Sequence, residues 1–344
     1  VALCQFLPGP ASSQVGMAIG LARGGVLGAI AAWLGFTLPS AIILTVFATG
    51  LAKFSAEINS GCLHGLKIVA VAVVAQAILL MSKKLCVGTK RVTIAALSAI
   101  AVVSLPTAVA QIGVIALAGV AGWLMLRDEP EALPAVPLQT HVGPTLGALS
   151  LGIFAVLLFV LPWLARATDL PTLRVFDSFY RVGSLVFGGG HVVLPMLKAE
   201  VVNSGWVSGE VFLIGYGLAQ AVPGPLFTLA AYLGATSTFG ASGWIGAAVY
   251  LFAIFLPSFL LIVGVLPFWD KIRKFRGMKA TMSGVNAAVV GILVAAFYNP
   301  VWSSAIASLK DFALALFCFL LLVIWRRASW QVVLVSAALG GVFL

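Results

Sequence analysis

The chain has 344 residues, 62% of them hydrophobic and only 9% charged, with a formal net charge of +10. A water-soluble domain carries about a quarter charged residues and keeps a largely polar surface, so this composition excludes one and makes lipid the main solvent. The basic balance does not signal nucleic acid either. Lys and Arg sit in short clusters between apolar runs, as in Lys83, Lys84, Lys90, Arg91 and Lys271, Arg273, Lys274, Arg276, Lys279, whereas a nucleic-acid face needs a contiguous basic surface. Such clusters mark cytoplasmic loops, because Lys and Arg beside a span resist translocation.

A spanning helix needs about 20 apolar residues. In chain order, 1–22 is apolar but broken by Gly and Pro, and 26–51 and 61–82 are long enough to cross. The run 92–105 is short and crosses only with tilt or local thinning; 107–126 spans. Residues 127–144 hold three acids, four prolines and His141, and read as an exposed cytoplasmic linker. A connecting span follows at 145–165. The stretch 176–237 is again apolar but broken, and 244–268, 280–298, 312–325 and the short 329–344 complete the set. Cys4, Cys62, Cys86 and Cys318 show no CxxC spacing and read as small packing residues.

The chain repeats itself. Gln5 to Pro10 (QFLPGP) lies over Gln220 to Pro225 (QAVPGP), an offset of 215 from residue 5 to residue 220. With small gaps, Gly25 then meets Gly243, Gly28 meets Gly246, Leu38-Pro39-Ser40 meets Leu256-Pro257-Ser258, and Gly65 meets Gly284. Breaks at matching depths indicate a tandem duplication: a first repeat over 1–126 and a second over 166–344. Positive charge changes sides between equivalent loops. Arg23 faces an uncharged 238–242; the neutral 53–60 (Lys53, Glu57) faces five Lys or Arg in 271–279; four in 83–91 face none in 299–304. By the positive-inside rule the halves are inverted, and the unpaired span 145–165 supplies the reversal. The second repeat has an interrupted segment ahead of its PGP that the first lacks, so roughly 40 residues are expected to be missing at the N-terminus, the alternative being that the first repeat has itself lost that piece.

Pro-Gly-Pro stops a helix by removing two donors, and Pro suits the first turn of the next. Half-helices are therefore expected over 8–22 and 223–237, with N-termini inside the membrane. Such an end carries free N–H groups and about half a positive charge. Paired discontinuous helices in inverted repeats point to a transporter's binding site. Candidate substrate groups are Gln5, Pro8, Gly9, Pro10, Ser12, Ser13 and Gln14 at the first break, and Gln220, Pro223, Gly224, Pro225 and Thr228 at the second. The alternative is that these polar groups only satisfy broken backbone. A further break, Phe187-Gly188-Gly189-Gly190-His191, lets backbone approach a ligand. His191 is an ionisable group at membrane depth and a functional candidate on that ground. Arg181, Lys198 and Glu200 flank that break and, with Arg23, are candidates for attracting an anion or relaying protons, against the bland reading of interfacial snorkelling. Pro39 and Pro257 are expected to kink their helices. No metal-ligand cluster, Walker sequence or catalytic dyad is present in the sequence, which argues against an enzyme, a cofactor or an ATP-driven pump.

The QxxPGP segment repeated twice, with Phe187 to His191 (FGGGH) and Gly205-Trp206-Val207-Ser208 then Glu210-Val211-Phe212 ahead of the second copy, resembles the chromate transporter (CHR) family in its long, two-domain form. The likeness covers the whole chain, except that the FGG-type segment belonging ahead of the first PGP is absent. It implies a multi-pass bacterial or archaeal inner-membrane protein with inverted halves, exporting chromate and handling sulfate through an ion gradient. The expectation is an all-α polytopic protein that moves a tetrahedral oxyanion by alternating access. A channel and an uptake transporter are the alternatives, and a homodimer is a candidate assembly.

Overall fold

The computed structural model describes residues 2–54, 59–105, 107–127, 142–272 and 276–344. The linker expected at 127–144, with His141, lies outside the described residues over 128–141. Among the described residues every regular element is helical. In chain order these are α1 (Ala2–Phe6), α2 (Ala11–Phe54), α3 (Ser60–Leu85), α4 (Thr89–Ser104), α5 (Ala108–Met125), α6 (Pro144–Thr168), α7 (Pro171–Leu185), α8 (Val193–Val201), α9 (Gly209–Ala221), α10 (Leu229–Thr236), α11 (Gly243–Val265), α12 (Trp269–Ile272), α13 (Arg276–Ala296), α14 (Ser303–Ala305), α15 (Leu309–Val323) and α16 (Ser329–Phe343). Five helical stretches are long and apolar enough to cross a bilayer: Ala11–Leu51, Ser60–Leu85, Pro144–Thr168, Gly243–Phe268 and Gly277–Ala305. The protein is thus all-α and polytopic. Its outer faces carry large apolar side chains, such as Leu27, Leu117, Phe159 and Trp163, all at least 70% exposed, as suits a surface solvated by lipid.

The helix breaks follow the glycines and prolines. Gly24 and Gly25 leave helical geometry inside α2, Gly25 at φ 61°, and the chain folds back on itself. Gly20 and Gly28 then touch so closely that a Cβ on Gly20 would lie 2.3 Å from the Gly28 carbonyl oxygen. The second half repeats this contact: a Cβ on Gly234 would lie 2.3 Å from the Gly246 oxygen. Both pairs allow backbone-to-backbone packing of the short arm on the long helix, the usual means of close approach where lipid is the solvent. Each short arm also pairs with the helix before its PGP. Leu3 and Cys4 of α1 pack with Met17 and Leu21 of the α2 arm, against Leu261 to Leu266 at the C-terminal end of α11. In the second hairpin, the Thr238 amide donates to the Trp206 carbonyl at 2.9 Å. The rings of Trp206 and Phe239 stack at 4.8 Å, so α10 ends where α9 begins. There Tyr250, near the N-terminal end of α11, bonds Ser237 at 2.7 Å. The two hairpins therefore lie at opposite ends of α11.

Both PGP helices start later than the sequence suggests. Regular helix begins at Ala11 rather than residue 8, and at a 3-10 turn over Leu226–Thr228 rather than at 223. Gly9 and Gly224 adopt φ of 113° and 153°, which no helix accommodates, and Pro225 stays extended as the cap. Helix continues through Pro39 and Pro257, with non-helical geometry in α2 confined to Gly24 and Gly25.

The halves interlock. The central helix of each, α3 or α13, packs on the last two long helices of the other: α3 on α15 and α16, α13 on α4 and α5. The repeat-related Gly65 and Gly284 make this possible. A Cβ on Gly65 would meet the Ser336 oxygen at 2.2 Å, and one on Gly284 the Ala118 oxygen at 2.1 Å. Ser336 Oγ also donates to the Gly65 carbonyl at 2.8 Å. At one end of the bundle His64 pairs with Asp311 at 2.9 Å and Lys67 with Glu210 at 2.7 Å, tying α3 to α15 and α9.

Candidate functional site

Three breaks meet, with Gly188, Pro223 and Gly224 exposed and the segments around them half-buried or buried. The Gly9 amide donates to the Val186 carbonyl at 2.7 Å, joining the first PGP to the FGGGH turn. Gly190 of that turn lies against Leu226, whose Cβ is 3.2 Å from where a Gly190 Cβ would stand, which brings in the second PGP. Each PGP is seated on the Pro-Ser step of the other half. A Cβ on Gly9 would lie 2.4 Å from Ser258 Oγ, and one on Gly224 1.9 Å from Ser40 Oγ. Ser40 Oγ donates to the Pro223 carbonyl at 2.7 Å. Gln14 Nε2 donates to the Pro8 carbonyl and reaches Ser258 Oγ at 3.5 Å. Carbonyls freed by broken helices are thus satisfied, Val186 and Pro223 by donors of the first half and Pro8 by Gln14 of its own half, as backbone at membrane depth requires.

Three helices start at these breaks: α2 after Pro10, α8 after the 3-10 turn Gly190–Val192, and α10 after Leu226–Thr228. The first N–H groups of α2 have no intrahelical acceptor. Those of α8 and α10 bond back into the 3-10 turns ahead of them, Val193 to Gly190 and Leu229 to Leu226, and each start carries the positive end of a helix dipole. No Asp or Glu occurs in 5–15, 183–193 or 218–230 to neutralise them. Around the breaks Ser13 Oγ, Thr37 Oγ1 and Gln220 Nε2 are buried donors without a hydrogen-bond partner. Buried polar groups are seldom left so. His191 Nδ1 bonds the hydroxyl of the fully buried Tyr216 at 2.9 Å, which fixes the ring at the turn. Gly188 faces Val289 and Asn286 of α13. What the lining offers is positive dipole ends, hydroxyls and amides, with no fixed acid. Chemically that suits an anion that must also leave.

The fit of the match to these elements is close. A family model described as "Chromate transporter" matches residues 1–123 and 173–342, leaving unmatched mainly the region of the linker and α6. The chain belongs to the chromate transporter family. Among relatives, a "Chromate transport protein" of Pseudomonas aeruginosa is 27% identical over 309 residues, covering 85% of this chain and 68% of that protein. One of Cupriavidus metallidurans, with the same description, is 25% identical over 344 residues, covering 99% and 81%. An uncharacterized transporter of Bacillus subtilis, YwrB, is 35% identical over 125 residues, covering 35% of this chain but 61% of its own. No solved structure matches. A relative shorter than this chain thus exists beside long ones, in keeping with the internal duplication.

Within this family member, not every residue singled out in sequence reaches the breaks. Gly9, Gly190, Pro223, Gly224 and Gln14 do; Pro8 and Pro225 supply carbonyls to Gln14 and Thr228, and Pro10 accepts the Gln14 amide. Thr228 Oγ1 is consumed locally, donating to Pro225 at 2.7 Å. Ser12 and Arg23 are exposed, and the side chain of Gln5 lies outside the described residues. Arg181, a candidate for attracting an anion or relaying protons against the snorkelling alternative, donates to Asp177 at 3.0 Å and to Glu200 at 3.5 Å. Two carboxylates cancel its charge, so it offers no net attraction. Lys198 donates to Asn299 at 3.2 Å, and Gly189 accepts the Val192 amide at 3.3 Å with open space where a Cβ would stand. Ser40 and Ser258 are the residues at the breaks that sequence reading left unassigned. The signal was present, since Leu-Pro-Ser repeats in both halves, but a serine after a helical proline has no distinctive pattern of its own. No group of three metal-ligating side chains occurs among the described residues.

Proposed function

We propose that this chain carries a tetrahedral dianion, chromate first and sulfate second, across the membrane by alternating access around the three converging helix starts. The observation that carries this reading is the pairing of inward N-termini with acid-free surroundings; the descriptions of the relatives supply the word chromate. On this reading 1–126 and 166–344 are inverted halves joined by 127–144 and the connecting helix. Support comes from the two hairpins at opposite ends of α11, and from Lys83, Lys84, Lys90, Arg91, Lys271, Arg326 and Arg327, which all fall at the end where α3, α11 and α15 stop. That end is then cytoplasmic.

Export fits the energetics. An elementary charge crossing 100 mV gains about 2.3 kcal/mol, so a dianion leaving a cell negative inside gains about 4.6 kcal/mol per 100 mV without a coupled ion. Uptake requires coupling. The test is labelled chromate and sulfate flux in proteoliposomes under an imposed potential, with His191→Ala and Gly224→Leu beside wild type. The reading expects saturable flux and counterflow in wild type and loss in both variants. Non-saturable flux without counterflow makes the protein a channel, and normal flux in both variants removes the site from these breaks.

A further inference from the structure

A second pocket lies away from the breaks. Where α4 ends and α5 begins, α8 and the turn after α13 form walls around about 120 Å³, room for about four waters, and its Asn203, Tyr298 and Asn299 are exposed. Its polar wall is Lys198, Gln111, Asn203, Tyr298 and Asn299, and no carboxylate lines it. Gln111 is 4% exposed, and its Oε1 is buried with no hydrogen-bond partner. A half-turn of the carboxamide presents two N–H donors in place of that oxygen. The ammonium of Lys198 has three donors and spends one on Asn299 Oδ1 at 3.2 Å. Glu200, two residues on, is turned to Arg181. The half-buried Lys198, facing amides and a phenol with no carboxylate in the pocket, lacks a counter-ion.

We propose that this cavity is a second oxyanion station. Lys198 supplies the charge, and Gln111, Asn203, Asn299 and Tyr298 supply hydrogen bonds to a small tetrahedral dianion such as sulfate. Pro195 of the same wall sits one turn beyond His191, and Lys198 roughly 10 Å along α8 from it at 1.5 Å per residue. The station thus stands between the central breaks and the end of the bundle away from the basic clusters. The choice of dianion rests on the transporter reading; the cavity and its unmatched lysine do not.

Equilibrium binding of labelled sulfate to the delipidated full chain in detergent tests it, with wild type, Lys198→Met, Lys198→Arg and Gln111→Leu. Two sulfates per wild-type chain are expected. Lys198→Met should weaken one of them roughly tenfold or more, as loss of a charge-assisted contact does, and leave the other alone. Lys198→Arg should hold that site within about threefold and Gln111→Leu should weaken it severalfold. A single sulfate, unmoved by Lys198→Met, overturns the station, as does Lys198→Arg behaving like Lys198→Met, since the lysine is then only structural. Repeating the measurement in phosphatidylcholine and phosphatidylglycerol nanodiscs separates a free ion from a lipid phosphate. Unchanged binding in both supports the station; loss in phosphatidylglycerol alone assigns the cavity to a head-group and overturns it. Flux of chromate and sulfate by the same wild-type preparation keeps the two ideas apart. Flux with one bound sulfate defeats the station only, whereas absence of flux with either anion defeats the transporter reading while the station is still decided by binding.

Discussion

Replacing Gly224 by Ala puts a methyl group where the two halves meet. Its Cβ would stand 1.9 Å from Ser40 Oγ and 2.9 Å from Ser40 Cβ, and Ser40 is 1% exposed with nowhere to swing. Three costs combine. The φ of 153° at residue 224 is foreign to an L-residue and costs about 1–3 kcal/mol. Overpacking costs about 1–3 kcal/mol. Displacing the Ser40 hydroxyl forfeits its 2.7 Å bond to Pro223, about 1 kcal/mol. The total is about 3–7 kcal/mol, enough to unfold or rearrange the break. In detergent the variant should melt well below wild type and lose chromate flux. The double variant Gly224→Ala/Ser40→Gly should recover the overpacking share but not the backbone share, giving a coupling of about 1–3 kcal/mol. Gly35→Ala, where nothing lies within 4 Å of the new methyl, is the control and should be neutral or slightly stabilising. If Gly224→Ala melts and transports like Gly35→Ala, the reciprocal seating described above is wrong.

Three other outcomes follow from the contacts. Arg181→Ala leaves Asp177 and Glu200, both largely buried, without a counter-ion, and should destabilise by about 3–5 kcal/mol; Arg181→Ala with Glu200→Gln should recover part of that in the same melt, and no recovery means the triad does not act as a unit. Tyr216→Phe removes the partner of His191 Nδ1 at 2.9 Å, costing about 1–3 kcal/mol; flux should fall with it, and unchanged flux and melting temperature would show that the ring needs no fixing. Gly284→Ala drives a methyl to within 2.1 Å of the Ala118 carbonyl and should cost about 1–3 kcal/mol by parting α13 from α5, whereas Gly113→Ala, with open space around it, should cost nothing in the same assay.

The breaks were legible in the sequence because they depend on local chemistry: proline removes donors and glycine opens positive φ, and both leave their mark in a handful of adjacent residues. Duplication was legible because the marks recur. The meeting of those breaks was not. That Gly9 bonds Val186, or that Gly224 rests on Ser40, is a fact about residues 177 and 184 positions apart in sequence (186 − 9 and 224 − 40), and an apolar environment leaves no periodic pattern to announce it. The partners of a charge were equally hidden. Arg181 stands in the sequence as one of several candidates until Glu200 is folded against it and Asp177, one turn earlier, is seen to share it. Helix starts were misplaced by three residues because Pro at a first turn and Pro as an extended cap differ only in ψ.

The seating of each break on the opposite half has a mechanical consequence. Ser40 belongs to the long arm of α2 and Ser258 to α11, the through-helices of the first and second halves, yet each holds the other half's PGP. If the halves rock against each other, as alternating access around a fixed site requires, either these contacts break or each break travels with the opposite through-helix. Breaking them exposes the Pro223 carbonyl and the Gly9 face with no lipid group to replace the serine, at several kcal/mol. Travelling together costs nothing of the kind. The moving bodies are then not the two repeats but two composites, each holding one through-helix and the other repeat's broken hairpin. A disulfide between cysteines placed at Ser40 and Pro223 separates the two cases. Flux that persists with the crosslink formed fits travelling composites; flux that stops on oxidation and returns on reduction means the repeats themselves are the bodies that move.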